Sequence, residues 1–131
     1  MPGIDLPVEL LDLLVRQVDP MAHVEALLLL HRTPERAWRV DEAAHTLHVD
    51  ETATARHLAA LIEGRLLRAE VDAGAPAYRY GPASPALHAA VDQLRVLYDT
   101  RPVSLVRALY ERPPQAVRSF ADAFRVRRPD E

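Results

Sequence analysis

Apolar positions recur at helical intervals from the start of the chain. Leu6, Leu10, Leu13, Leu14 and Val18 form one stripe of a first predicted helix, with Asp5 placed to cap it. Asp19-Pro20 carries the cap-then-proline start of a second helix running to about His31. Val24, Leu27, Leu28 and Leu30 leave that helix apolar on most sides, which predicts a central position. Thr33-Pro34-Glu35-Arg36 is a break, and Trp38-Arg39-Val40 has room only for a small strand or an extended link. Asp41 opens a short helix from Glu42 to about Leu47, with Ala43, Ala44 and Leu47 inward. After a tight His48-Val49-Asp50 connection, Asp50 caps a helix over 51–63 whose inward face is Thr54, Leu58, Leu61 and Ile62. Gly64 stands where a left-handed residue ends a helix.

The period then changes. Leu66-Leu67-Arg68-Ala69-Glu70-Val71 reads as a strand, and Asp72-Ala73-Gly74-Ala75-Pro76 as turn material. Ala77-Tyr78-Arg79-Tyr80 alternates with β-favouring aromatics up to Gly81-Pro82, which predicts a hairpin with a loop looser than the two-residue type. Ser84-Pro85 starts another helix, whose Leu87, Val91, Leu94, Leu97 and Tyr98 form a narrow apolar seam. Arg101-Pro102 interrupts it, and Val103, Val106, Leu109 and Tyr110 continue as a short helix to Pro113-Pro114. A last helix is expected over Ala116 to Arg128, with Val117, Phe120, Ala121 and Phe124 at helical spacing.

Composition narrows the class. The 131 residues suit one domain, and 49% apolar content argues against disorder. With no Cys, disulfide scaffolds, thiolate metal sites and cysteine nucleophiles are excluded. The run Ala26–Leu30 is far short of the roughly 20 residues a membrane span needs. Met-Pro-Gly-Ile-Asp-Leu-Pro lacks the features of a signal peptide, so the expected location is the cytoplasm. The formal charge is −3, but every basic residue is arginine and their placement is uneven. Residues 1–50 hold four Arg against nine acids, whereas 101–128 hold seven against two, so an anion-binding surface is expected in the second half.

The order helix, short extended piece, short helix, tight turn, capped helix, glycine, strand, loop, strand spans about residues 20–82. It is carried by Val40-Asp41-Glu42-Ala43-Ala44, Leu47-His48-Val49-Asp50, Thr54-Ala55-Arg56-His57-Leu58 and, most tellingly, Leu61-Ile62-Glu63-Gly64-Arg65-Leu66-Leu67, with Tyr78-Arg79-Tyr80-Gly81-Pro82 as a returning strand. This resembles the winged helix-turn-helix family, the DNA-binding domain of many bacterial transcription regulators. The resemblance implies a mainly α fold with a small β-hairpin wing, a reading helix at about 51–63 and a wing at about 65–81. Extra N- and C-terminal helices complete a single domain over 1–131. It also implies double-stranded DNA as partner, a homodimer built on the C-terminal helices of 84–131, and room for a small-molecule effector of unspecified chemistry.

With Thr54, Leu58, Leu61 and Ile62 inward, Thr52, Ala53, Arg56, His57 and Ala60 are expected outward. Arg56 could pair with guanine edges, Thr52 with a phosphate or base, and Ala53 with a thymine methyl. Arg68 and Arg79, on the two wing strands, could meet phosphate or the minor groove. Against this, Arg56 and His57 could simply be solvated, and Glu51, Glu63, Glu70 and Asp72 offset the local cations. That leaves open a winged-helix protein-interaction module without specific DNA binding. The seam Leu87, Val91, Leu94, Leu97, Tyr98 is the expected dimer contact, the competing reading being that it packs on the chain's own N-terminal helix.

Other chemistry is thin. His45 and His48 could share a helix face but lack a third ligand, so solvated or capping roles are expected and no metal. Ser84, Ser104 and Ser119 lack a nucleophile elbow, and the four glycines make no phosphate loop. No catalytic residue and no cofactor are expected.

Overall fold

A computed structural model describes residues 6–111 of the chain. Asp5 and the expected helix over 116–128, with its arginines 118, 125, 127 and 128, lie outside the described residues.

The helix α1 (Val8–Val15) buries Leu10, Leu11, Leu14 and Val15. It ends before Val18, which leaves the expected stripe and is 94% exposed. The next helix, α2 (Pro20–His31), starts as the Asp19-Pro20 pair predicts: the Asp19 carboxylate accepts from the Ala22 N–H at 3.3 Å. It is buried on nearly every side and packs against α1, α4, α5 and α6, the last three defined below. The hydrophobic effect of its Leu27-Leu28-Leu29-Leu30 run draws the other elements around it.

Strand β1 (Trp38–Arg39) leads directly into α3 (Val40–Leu47). That helix begins earlier than Asp41 suggests, because Glu42 reaches back to accept the Arg39 N–H at 3.0 Å. His48, left-handed at φ 59°, ends it and turns the chain into α4 (Glu51–Glu63). The Asp50 carboxylate caps α4 by accepting from the Ala53 N–H at 2.7 Å.

The left-handed position after α4 is Arg65 (φ 64°), one residue later than expected; Gly64 keeps φ −77°. The Leu66 N–H bonds to the Leu61 carbonyl and the Arg65 N–H to the Ile62 carbonyl, which fixes the turn at Arg65.

Strands β2 (Leu67–Asp72) and β3 (Ala75–Tyr80) pair antiparallel from Leu67↔Tyr80 to Asp72↔Ala75, and β1 joins the other edge of β3 through Trp38↔Tyr78. The connection is the two-residue type, not the looser loop expected. Ala73 (φ 53°) and Gly74 (φ 82°) both take the left-handed conformation that matches strand twist. Pro76 is tolerated because β1 reaches only Ala77 and Tyr78, leaving that stretch of β3 open on one side.

Ser84 caps α5 (Pro85–Thr100), and Arg101 separates it from α6 (Pro102–Glu111). The chain has a winged helix fold: α2, α3 and α4 form the three-helix unit, β2 and β3 the wing, and α1, α5 and α6 the added helices.

Candidate nucleic-acid interface

The angle at which α4 is presented follows from its buried side. Thr54, Leu58 and Leu61 are essentially inaccessible, and they pack α4 against α2 and α3. The opposite side is Thr52, Arg56, Ala59 and Glu63, all exposed. Ala53 and Ala60 occupy a half-buried shoulder toward the turn between α1 and α2. Thr52 and Arg56 are therefore outward as expected.

His57 is not outward. It is 8% exposed, and its Nδ1 lies 2.9 Å from Nδ1 of the buried His23, so one proton is shared between α2 and α4. Burial, and then the charge of the other ring, pushes the His23 pKa down to about 4; burial likewise lowers that of His57, opposed by Asp19 and reinforced by Arg56. The signal was available, since His57 stands three residues after Thr54 and four before Leu61, on the inward stripe.

The Arg56 guanidinium forms no ion pair or hydrogen bond with any described residue, which leaves its donors free. On the wing the two arginines face each other in register but differ in use. Arg68 is exposed and lies along the strand end, where a Cβ at Gly81 would fall 2.5 Å from its Nε. Arg79 is engaged: Nε donates to Glu70 Oε2 at 2.6 Å, a second nitrogen to Oε1 at 3.3 Å, and a third to the Pro34 carbonyl at 3.3 Å. The hydrogen bond from Arg79 holds the Glu70 carboxyl below its ordinary range and raises the guanidinium above its own. Arg79 thus ties the wing to the loop before β1.

The glycine at position 64 draws the left-handed turn in the sequence pattern and so conceals Arg65, which takes it. Arg65 is exposed between α4 and the wing. Arg36 lies over the Trp38 ring, 3.6 Å from its centroid, while the indole N–H donates to Thr33. His48 serves as the α3 cap, and His45 is exposed.

The expected dimer seam is used within the chain. Val91 and Leu94 are completely buried, Leu97 is 8% exposed, and Leu87 packs against the same core. The Tyr98 hydroxyl donates to Glu25 of α2 at 3.0 Å. The exposed apolar residues of α5 and α6 lie elsewhere, at Val96, Val103, Val106 and Tyr110.

No protein-family model matches the sequence, and no curated protein matches it. Among solved structures, S. aureus MepR bound to ethidium bromide aligns with 84% of this chain and 77% of that chain, at 15% identity and a TM-score of 0.48. The winged helix assignment rests instead on the element order, the sheet register and the α3–α4 turn. Among the described residues no helix is long and apolar enough to cross a membrane.

Proposed function

We propose that this chain is a non-enzymatic, DNA-binding transcription regulator of the cytoplasm. In this reading α4 lies in the major groove and the β2–β3 wing lies beside it. The observation that carries the reading is the exposed side of α4, where Thr52 and Arg56, which has no ion-pair partner among the described residues, project from a helix that α2 and α3 hold out. Arg56 reads a guanine edge, Thr52 reaches phosphate or base, and Ala53 meets a thymine methyl from the shoulder. Arg68 and Arg65 supply phosphate contacts. Arg79 braces the wing and His57 braces α4, so both act on DNA through position.

The residues 1–131 form one domain in this proposal, with 20–82 as its winged helix core and 84–131 as its pairing helices. One copy offers few free cations near α4, and Glu51 and Glu63 offset part of them. A homodimer doubles the contacts and suits a palindromic site. Since Val91 and Leu94 are buried, pairing falls to the exposed Val96, Val103 and Val106. A small-molecule effector fits this scheme without its chemistry being specified.

The test is selection of genomic fragments by the purified protein at two salt concentrations. Enrichment of a palindromic sequence, weakened by salt, is the expected result. Recovery of no sequence at either salt favours the second reading, a winged-helix protein-interaction module. That reading is supported by the carboxylates Asp50, Glu51 and Glu63 along α4 and by the capture of Arg79 by Glu70.

A further inference from the structure

Beside α4 runs a groove of about 540 Å³ that includes Ala53 and Arg56 of the DNA-reading side and continues to the turn between α1 and α2. Its apolar lining includes Ala22, Ala53 and Ala60, and its rim carries Asp19, Glu63 and Val18. Val18 is 94% exposed, and neither Asp19 nor Glu63 forms a salt bridge with a described arginine. The groove is therefore apolar within, acidic at its edge, and flanked by Arg56.

The C-terminal end of α6 lies at this rim. The Tyr110 hydroxyl donates to Asp19 Oδ1 at 3.0 Å and accepts from the Met21 N–H at 3.1 Å. The chain thus leaves Glu111 beside the groove, with residues 112–131 still to follow. Their sequence places Pro113-Pro114 first, then Val117, Phe120, Ala121 and Phe124 at the spacing of one helix face, accompanied by Arg118 and Arg125. From Ala53 to Glu63, α4 extends about 15 Å, the length of roughly ten helical residues. Ten helical residues match a trough of that length, two phenyl rings four residues apart fall about 6 Å from each other within its alanine-lined part, and the arginines match Asp19 and Glu63 in charge.

We propose that residues 116–125 dock in this groove as an autoinhibitory segment, with Phe120 and Phe124 against its alanine-lined part, which leaves pairing to Val96, Val103 and Val106 of α5 and α6. Arg56 shares the rim and opposes further guanidinium groups, so the phenyl rings hold the contact. A docked segment and a DNA duplex compete for the same side of α4, and apparent DNA affinity falls by the fraction of molecules that are open. The inhibitory consequence rests on the DNA-reading proposal; the docking does not.

The absence of cysteine permits a direct test on the full chain. The pair Ala60→Cys with Ala121→Cys is oxidised in the absence of DNA, beside a control pair of Val71→Cys at the exposed wing tip with Ala121→Cys. The expected result is an intrachain disulfide that forms much faster in the first pair. A disulfide no faster than the control, or formed only between chains, overturns the docking. Separately, Phe120→Ala with Phe124→Ala keeps every arginine and is assayed on a random-sequence duplex at low salt. Affinity is expected to rise several-fold, and unchanged affinity overturns the autoinhibition. Disulfide formation with no DNA binding by either protein leaves the docking standing and removes the regulator reading.

Discussion

Arg56 and Arg79 are both arginines on the expected nucleic-acid face, yet among the described residues only Arg79 finds partners for its donors. Arg56→Ala is expected to weaken binding to the selected sequence by about 5- to 150-fold, the worth of one bidentate base contact of roughly 1–3 kcal/mol. Stability should stay within about 0.5 kcal/mol, because the side chain is exposed. Competition titration against a random duplex distinguishes the two effects, and equal affinity for both proteins would remove Arg56 from the reading face. Arg68→Ala should weaken all sequences alike and reduce the salt slope by about one. Arg79→Ala acts differently: it strips the partner from Glu70 and loosens the wing, so a lower Tm is expected with little change in salt slope. Thr54 presents the opposite case, since its hydroxyl is fully buried with no hydrogen-bond partner among the described residues. Thr54→Val should stabilise the chain by roughly 1 kcal/mol, visible as a higher urea midpoint.

At the scale of elements, capping chemistry sets where α4 begins and ends. The Asp50 carboxylate satisfies one of the free N–H groups of the first turn, and Asp50→Ala should cost about 1 kcal/mol. At the other end, Arg65 holds a conformation that L side chains adopt at a cost of about 1–2 kcal/mol. Arg65→Gly should therefore raise the Tm; a lowered Tm would mean that the arginine side chain contributes more than the backbone strain removes. The wing turn shows the same physics. Ala73-Gly74 closes two strands in the handed turn that their twist requires, although the sequence offers alanine where asparagine is more usual.

At the scale of the whole molecule, the shared proton between His23 and His57 couples the central helix to α4. The folded state keeps His23 neutral down to about pH 4, whereas the unfolded chain takes up its proton below about pH 6.5. Stability is thus fully present above pH 6.5 and falls as pH drops toward 4, by about 3 kcal/mol from His23. His57 acts in the same direction. Urea unfolding at pH 7 and pH 4.5 should show this loss, and His23→Gln should reduce the difference between the two midpoints. Equal pH dependence in both proteins would show that other groups govern acid sensitivity.

Local signals were sufficient for α2, α4 and α5, because Asp19-Pro20, Asp50 and Ser84-Pro85 satisfy the first backbone N–H groups of their own helices and need no distant partner. The winged helix order and the outward placement of Thr52 and Arg56 were legible for the same reason, as they follow from periodicity within one helix. Three matters lay beyond the sequence. Which arginine is free depends on where Glu70 and Pro34 sit after the hairpin closes. Whether the Leu87–Tyr98 seam faces a second copy or α2 depends on the packing of elements far apart in the chain, and Val91 and Leu94 went to the chain's own core. The inward place of His57 was legible in its spacing, but its partner was not: His23, 34 residues earlier, meets the ring and shares a proton with it only once α2 and α4 pack together. Helix caps and apolar periods act over a few residues, whereas the pairing of charges and the choice of buried face are settled only when separate elements compete for the same space.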